Sequence, residues 1–166
     1  RLRMSKIIKQ EISIIEKRKA QAEVIKPIFE EMVSTLGKTK AKKILKNAII
    51  KNAIDEGRVL REKSNKTSSK NNVIDKFIEV FENWKTGGAL EINEIKKDNE
   101  IYHFDVTRCK YAEMYSKLGI KELGGILSCN RDSNFSKGFD KNLILERNQT
   151  IMEGSSCCTF RYKLEK

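Results

Sequence analysis

Apolar residues recur at helical spacing through the first half of the chain and at strand spacing through parts of the second. Ile7, Ile8, Ile12 and Ile15, followed by Ala22, Ile25, Phe29, Met32 and Val33, predict one long helix or two abutting ones over about 5–36. Pro27 falls inside this span and predicts a kink or break, because proline lacks an amide donor and crowds the preceding turn. Leu36-Gly37 gives a stop, since glycine suits a left-handed C-cap. A second helix is expected from near Thr39, through Ala41, Ile44, Leu45, Ala48, Ile49 and Ile54, to about Leu60. Residues 63–72 read as a polar loop. Val73, Ile74, Phe77, Ile78, Phe81 and Trp84 mark a third helix, closed by Thr86-Gly87-Gly88.

The period then changes. Leu90, Ile92 and Ile95, and after a Lys97-Asp98-Asn99-Glu100 turn Ile101, Phe104 and Val106, form a hairpin signature. Residues 109–130 return to helix, with interruptions expected at Gly119 and Gly124-Gly125. Leu143 and Leu145, continued to Gln149 and Ile151, read as a strand, and Cys158, Phe160 and Tyr162 as a last one after a Glu153-Gly154-Ser155 turn. The order is helices, strand pair, helices, strand pair. It predicts a single α+β domain over 1–166, in which a helical part (1–86) packs on an antiparallel sheet of two hairpins in 87–166.

The charged fraction of 34% exceeds the usual quarter, but the periodic apolar residues argue against disorder. No stretch of about 18 uncharged apolar residues predicts a membrane span. Met4 reads as a natural start, and the charges around it do not resemble a secretion leader. A cytoplasmic setting with reduced thiols is therefore expected for Cys109, Cys129, Cys157 and Cys158. The formal charge of +11 belongs to the N-terminal part: residues 1–70 carry 19 Lys and Arg against 8 Asp and Glu, whereas 71–166 carry 15 of each. Lysine dominates and no aromatics interleave, so a solvated helical face is favoured over a nucleic-acid surface. The long N-terminal helix is suited to pack in cis or across a homo-oligomer. His103 has no acidic or serine neighbour at a catalytic spacing and reads as a strand surface or packing residue.

The informative blocks are Thr107-Arg108-Cys109-Lys110-Tyr111-Ala112-Glu113-Met114-Tyr115, Leu127-Ser128-Cys129-Asn130-Arg131-Asp132, Leu145-Glu146-Arg147-Asn148-Gln149-Thr150-Ile151-Met152 and Cys158-Thr159-Phe160-Arg161-Tyr162. Together they resemble the L-2-amino-thiazoline-4-carboxylic acid hydrolase family, closely from about 101 to 163 and more loosely earlier, at Glu23-Val24-Ile25-Lys26-Pro27, Leu36-Gly37 and Gly57-Arg58. A fainter resemblance, in the closing strand, glycine turn and Cys-x-Phe strand, extends to small-molecule-sensing vinyl-reductase-like domains. Members of the hydrolase family often read Ser-His-Cys-Asp-Phe-Arg where this chain has Ser156-Cys157-Cys158-Thr159-Phe160-Arg161.

The resemblance implies that water adds to C2 of an aminothiazoline carboxylate and that the ring C–S bond opens, giving N-carbamoyl-cysteine. A guanidinium would hold the substrate carboxylate. A carboxylate would hold the amidine edge, and a further group would deliver the nucleophile and protonate the leaving sulfur. Asp132 is the candidate for the amidine edge, with a helix N-cap as its other reading. Arg108, Arg147 and Arg161 are candidate carboxylate clamps, although Arg161 falls on the strand face opposite Cys158 and also reads as a cross-strand charge pair. Tyr111, Asn130, Arg131 and Thr150 complete the substrate-binding set; Tyr111 would lend a hydroxyl or simply pack. Cys109, Cys129 and Cys158 are open to three readings: buried packing, catalysis, or joint ligation of a metal such as zinc, which the sequence does not require. Cys109, at a strand-to-helix junction between Arg108 and Lys110, is the best candidate for an activated thiolate.

Overall fold

The computed structural model describes residues 12–166. Ile7 and Ile8, which the reading above places in the first helix, lie outside the described residues.

Helix α1 spans Ile14–Leu36 and opens with a capping box between Ser13 and Glu16, which satisfies two otherwise orphan amides. It runs through Pro27 without the break that is one of the two expected outcomes. The reason is position: Pro27 and Glu23, whose carbonyl loses its amide partner, are both exposed, so solvent can take up the orphan acceptor. Gly37, with φ of 80°, ends α1 and lets α2 start at once. Helix α2 spans Lys38–Thr67, so part of the expected loop at 63–72 is helical and the connection shrinks to five residues. Helix α3 spans Val73–Lys85 and is capped by the Asn72 side chain on the amide of Asp75.

Strands β1 (Leu90–Lys97) and β2 (Ile101–Cys109) form the predicted hairpin, its turn fixed by the Asp98 carboxylate, which accepts from the amides of Glu100 and Ile101. Helix α4 (Lys110–Lys117) follows directly. The chain turns at Gly119 (φ 70°) into α5 (Lys121–Gly124), as expected. Gly124-Gly125 does not interrupt: the backbone stays helical through a π-helical turn, Gly125–Cys129, into α6 (Asn130–Phe139). Gly124 serves close packing instead, because a Cβ there would lie 2.4 Å from the Met152 sulfur.

Strand β3 (Leu143–Glu146) is shorter than expected; Ile151 sits instead in a 3-10 turn that Thr150 caps. Strand β4 (Cys158–Leu164) completes one antiparallel sheet of order β1-β2-β4-β3. The fold is therefore α+β, as predicted.

One face of the sheet, formed by Tyr102, Phe104 and Val106 of β2 and Cys158, Phe160 and Tyr162 of β4, is buried under α3 and α6. The alternate residues of β4, Thr159, Arg161 and Lys163, point away from it, as period-2 alternation requires. The aromatic side chains interlock edge-on and stacked, with Phe77 4.6 Å from Tyr162 and Phe104 4.9 Å from Phe160 between ring centres. Helices α2 and α6 approach so closely that their glycines touch backbone. A Cβ on Gly57 would lie 2.3 Å from the Phe135 carbonyl oxygen, and one on Gly138 2.1 Å from that of Ile54. This crossing carries Asn52 and Glu56 of α2 up against Arg131 of α6.

Candidate active-site cavity

The C-terminal end of β2, the start of β4 and the end of β3 lie side by side, because Val106 pairs with Cys158 and Glu146 with Arg161. At that end of the sheet a cavity of about 80 Å³ opens between the sheet and α1, α2, α3 and α6. A polar cavity needs only about 10–15 Å³ to hold one water, so this one can take several waters or a small ring in their place. Phe81, Trp84, Phe135 and Phe160 give it flat apolar walls, and its polar lining comes from Arg18, Glu56, Ser128, Arg131, Asp132, Arg147 and the thiols of Cys109, Cys129 and Cys158.

The π turn precedes the polar cluster and brings Ser128 and Cys129 to the wall; such turns are frequent at functional sites. Tyr115 fixes Ser128 through a 2.8 Å hydrogen bond between the hydroxyls. Asp132 lies in the first turn of α6. Its Oδ2 accepts from Arg147 Nη1 at 2.5 Å, and Arg147 Nη2 donates to the carbonyl of Cys129 at 2.9 Å. The Arg147 guanidinium also stacks on Phe160, 4.8 Å from the ring centre, so its plane is held on three sides. Burial pushes the Asp132 carboxyl above its ordinary value while Arg147 works against that rise, and the carboxylate in turn holds Arg147 firmly charged. Oδ1 of Asp132 has no hydrogen-bond partner among the described residues and is not sealed in the packing, so it is free to meet a guest.

A second polar group faces the same space. Glu56 accepts from both Arg18, at 3.3 Å, and Arg131. Arg18 also donates to Gln21 and Arg131 to Asn52, each at 2.9 Å. Both arginines are largely buried, at 8% and 7% exposed.

The thiols depart from the expectation of an activated nucleophile. The amides of Ala112 and Tyr111 at the start of α4 pull the Cys109 thiol down, but burial dominates and pushes it up to about 11. Burial raises Cys129 and Cys158 as well, and the Cys158 sulfur already accepts the Ile151 amide at 3.2 Å. Arg108 does not lower Cys109: it is exposed and turned to Glu113 and Glu91. Among the described residues no three Cys, His, Asp or Glu side chains stand close enough to hold a metal ion, so the thiols line the wall separately. With Cys109 at about 11, its thiolate fraction at neutral pH is about a hundredfold below that of an ordinary cysteine. Iodoacetamide at pH 7 is accordingly expected to label Cys109, Cys129 and Cys158 slowly in the folded protein and quickly in denaturant, read by mass spectrometry of the peptides. Fast labelling of any of the three at pH 7 would restore the thiolate reading.

Of the residues singled out in the sequence, Cys109, Tyr111, Cys129, Arg131, Asp132, Arg147 and Cys158 meet at the cavity. Tyr111 contributes its ring, because its hydroxyl donates to the Trp84 carbonyl at 3.0 Å. Arg108, Asn130, Thr150 and Arg161 do not line it. Arg161 sits on the outer face of the sheet, paired with Asp105 at 2.8 Å, and Thr150 is held by Glu153. Cys157 and Thr159, the departures noted above, also lie outside the lining: Cys157 takes a hydrogen bond from Gln149, and Thr159 donates to Asn148. Arg18 and Glu56 escaped the sequence reading. The available signal was an arginine inside the apolar stripe of α1, one turn before Ala22.

The family profile of L-2-amino-thiazoline-4-carboxylic acid hydrolases matches residues 17–162. The chain belongs to that family. The matched span takes in every polar residue of the cavity lining named above, from Arg18 of α1 to Cys158 of β4. No curated protein matches the chain. Among solved structures, the phenol-responsive sensory domain of the transcription activator PoxR with phenol superposes with a TM-score of 0.52 at 12% identity, over 89% of this chain and 74% of that one. At that identity the likeness shows the hydrolase family member and the sensory domain to share a fold. Among the described residues, no helix is long and apolar enough to cross a membrane.

Proposed function

We propose that the protein hydrolyses a small sulfur heterocycle of the 2-amino-thiazoline-4-carboxylate type. The single observation that supports this is the Oδ1 of Asp132, which accepts no hydrogen bond among the described residues and belongs to a side chain that lines a flat-walled cavity together with the Cys109, Cys129 and Cys158 thiols. Water adds to C2 of the ring with Asp132 taking its proton, and the C2=N π pair moves onto the ring nitrogen, which gains a proton. The new hydroxyl then becomes the carbonyl as the C2–S bond breaks and a proton goes to the departing sulfur; the two hydrogens of water thus end on nitrogen and sulfur, and substrate plus water gives N-carbamoyl-cysteine with a free thiol. Arg147 keeps Asp132 aimed at the ring. The neutral thiols stand as donors or packing beside the leaving sulfur rather than as nucleophiles.

The test is release of a titratable thiol from L-2-amino-thiazoline-4-carboxylate and related cyclic isothioureas, with and without added divalent metal. Failure across that panel by folded protein removes the reading. A second reading, a ligand sensor without turnover, is favoured by the protonated thiols and by the fold in common with a phenol-responsive domain. It predicts that phenol or the heterocycle raises the melting temperature while no product forms.

A further inference from the structure

Three guanidiniums and two carboxylates line the cavity among the described residues: Arg18, Arg131 and Arg147 against Glu56 and Asp132. They divide into two groups. Arg147 and Asp132 form a closed pair, one cation to one anion. Among the described residues Arg18 and Arg131 share one carboxylate, that of Glu56, so one positive charge has no ion-pair partner of its own there. A buried cation without a counter-ion is costly unless something neutralises it. Burial and the neighbouring Arg18 charge accordingly push the Arg131 guanidinium down, with Glu56 opposing.

Each guanidinium has five N–H donors. The hydrogen bonds to Gln21, Asn52 and Glu56 use only part of them. The Nε of Arg18 and that of Arg131 each lack a hydrogen-bond partner among the described residues, yet neither is sealed away in the packing, unlike a terminal nitrogen of Arg61. Each arginine therefore keeps a donor to offer, and both side chains line the cavity. Two planar forks beside one another fit the two oxygens of a carboxylate.

We propose that Arg18 and Arg131, braced by Glu56, form the anion-binding subsite of the cavity and select a small monocarboxylate over a neutral ring of the same shape. The proposal deepens the hydrolase reading and rests on the cavity being the substrate site. It moves the carboxylate clamp away from Arg108, Arg147 and Arg161 and makes helix α1 part of the site. A ligand seated this way would span the cavity, its carboxylate toward α1 and α2 and its ring edge toward Asp132.

The test compares L-2-amino-thiazoline-4-carboxylate with its 4-carboxamide on the full chain, by calorimetric binding and by thiol release. Wild type is expected to bind the carboxylate at least tenfold more tightly than the carboxamide. Arg18→Met and Arg131→Met are each expected to weaken the carboxylate by about ten- to a hundredfold, the 1.4–3 kcal/mol typical of a charged hydrogen bond, while leaving the carboxamide unchanged. A variant that only loosened the fold would weaken both probes equally. Should a methionine variant fail to fold, Arg18→Lys keeps the charge but loses the fork, and a smaller, carboxylate-only loss is expected. Charge-selective binding without thiol release upholds the subsite and removes the hydrolase reading. Thiol release with equal preference for acid and amide, or with Arg18→Met indifferent to the carboxylate, overturns the subsite and leaves the hydrolase reading in place.

Discussion

Asp132→Asn is expected to lower kcat/KM for the aminothiazoline carboxylate by about two to four orders of magnitude, the usual contribution of a positioned general base. The amide keeps the shape and can still accept from Arg147, but it cannot take a proton from water. The wild-type pH profile supplies a second, independent measurement. A base must be ionised to act, so activity falls as pH drops through its folded pKa. Burial has raised that value, and the acid limb is expected above the ordinary 3.8. A folded Asp132→Asn protein with wild-type turnover would remove Asp132 from the chemistry, as would an acid limb lying below that of a free carboxyl. The variant is also expected to melt earlier, because Arg147, 13% exposed at its side chain, loses its counter-ion.

The second large effect is on stability. Gly138→Ala and Gly57→Ala would each drive a methyl group into backbone atoms of the facing helix, at 2.1 Å from the Ile54 oxygen and 2.3 Å from the Phe135 oxygen. Neither neighbour can rotate away, so α2 and α6 must part. Overpacking of this kind costs roughly 3 kcal/mol or more, a drop in melting temperature on the order of 6–12 °C for a chain of this size. Gly124→Ala is the milder comparison: its closest clash is with the tip of Met152, a flexible side chain that can swing aside, and the Tyr115 ring at 3.0 Å needs to give only slightly. Scanning calorimetry should rank Gly124→Ala well above the other two. Near-wild-type melting of Gly138→Ala would show that the helices do not cross this closely.

The sheet was readable in the sequence because its strands are buried on one face only, so β2 and β4 alternate cleanly. The elements missed or cut short are those whose inner face is not apolar. Helix α6 shows only Phe135 and Phe139 as greasy markers, and the rest of its buried side is Arg131 and Ser136, with Gly138 against α2. The end of α2 at Lys63–Thr67 runs past its apolar stripe and looks like a loop for the same reason. Gly124-Gly125 looks like punctuation, yet the first glycine is there to let Met152 and Tyr115 approach. The site followed the same rule. Cysteines and Asp132 in distinctive blocks were visible, and Arg147 with them. Arg18 and Glu56 were not, because on helices rich in Lys and Glu one buried charge cannot be told from a solvated one without knowing which face turns inward.

The walls of the cavity are gathered from nearly the whole length of the polypeptide, from Ile14 to Phe160. No contiguous fragment owns the binding site, so a guest molecule acts as a clasp between the two ends of the chain. Occupancy and native structure are thereby linked: a compound present at a hundred times its dissociation constant would deepen the native well by about 2.7 kcal/mol, and removing α1 would abolish recognition even with every cysteine still in place.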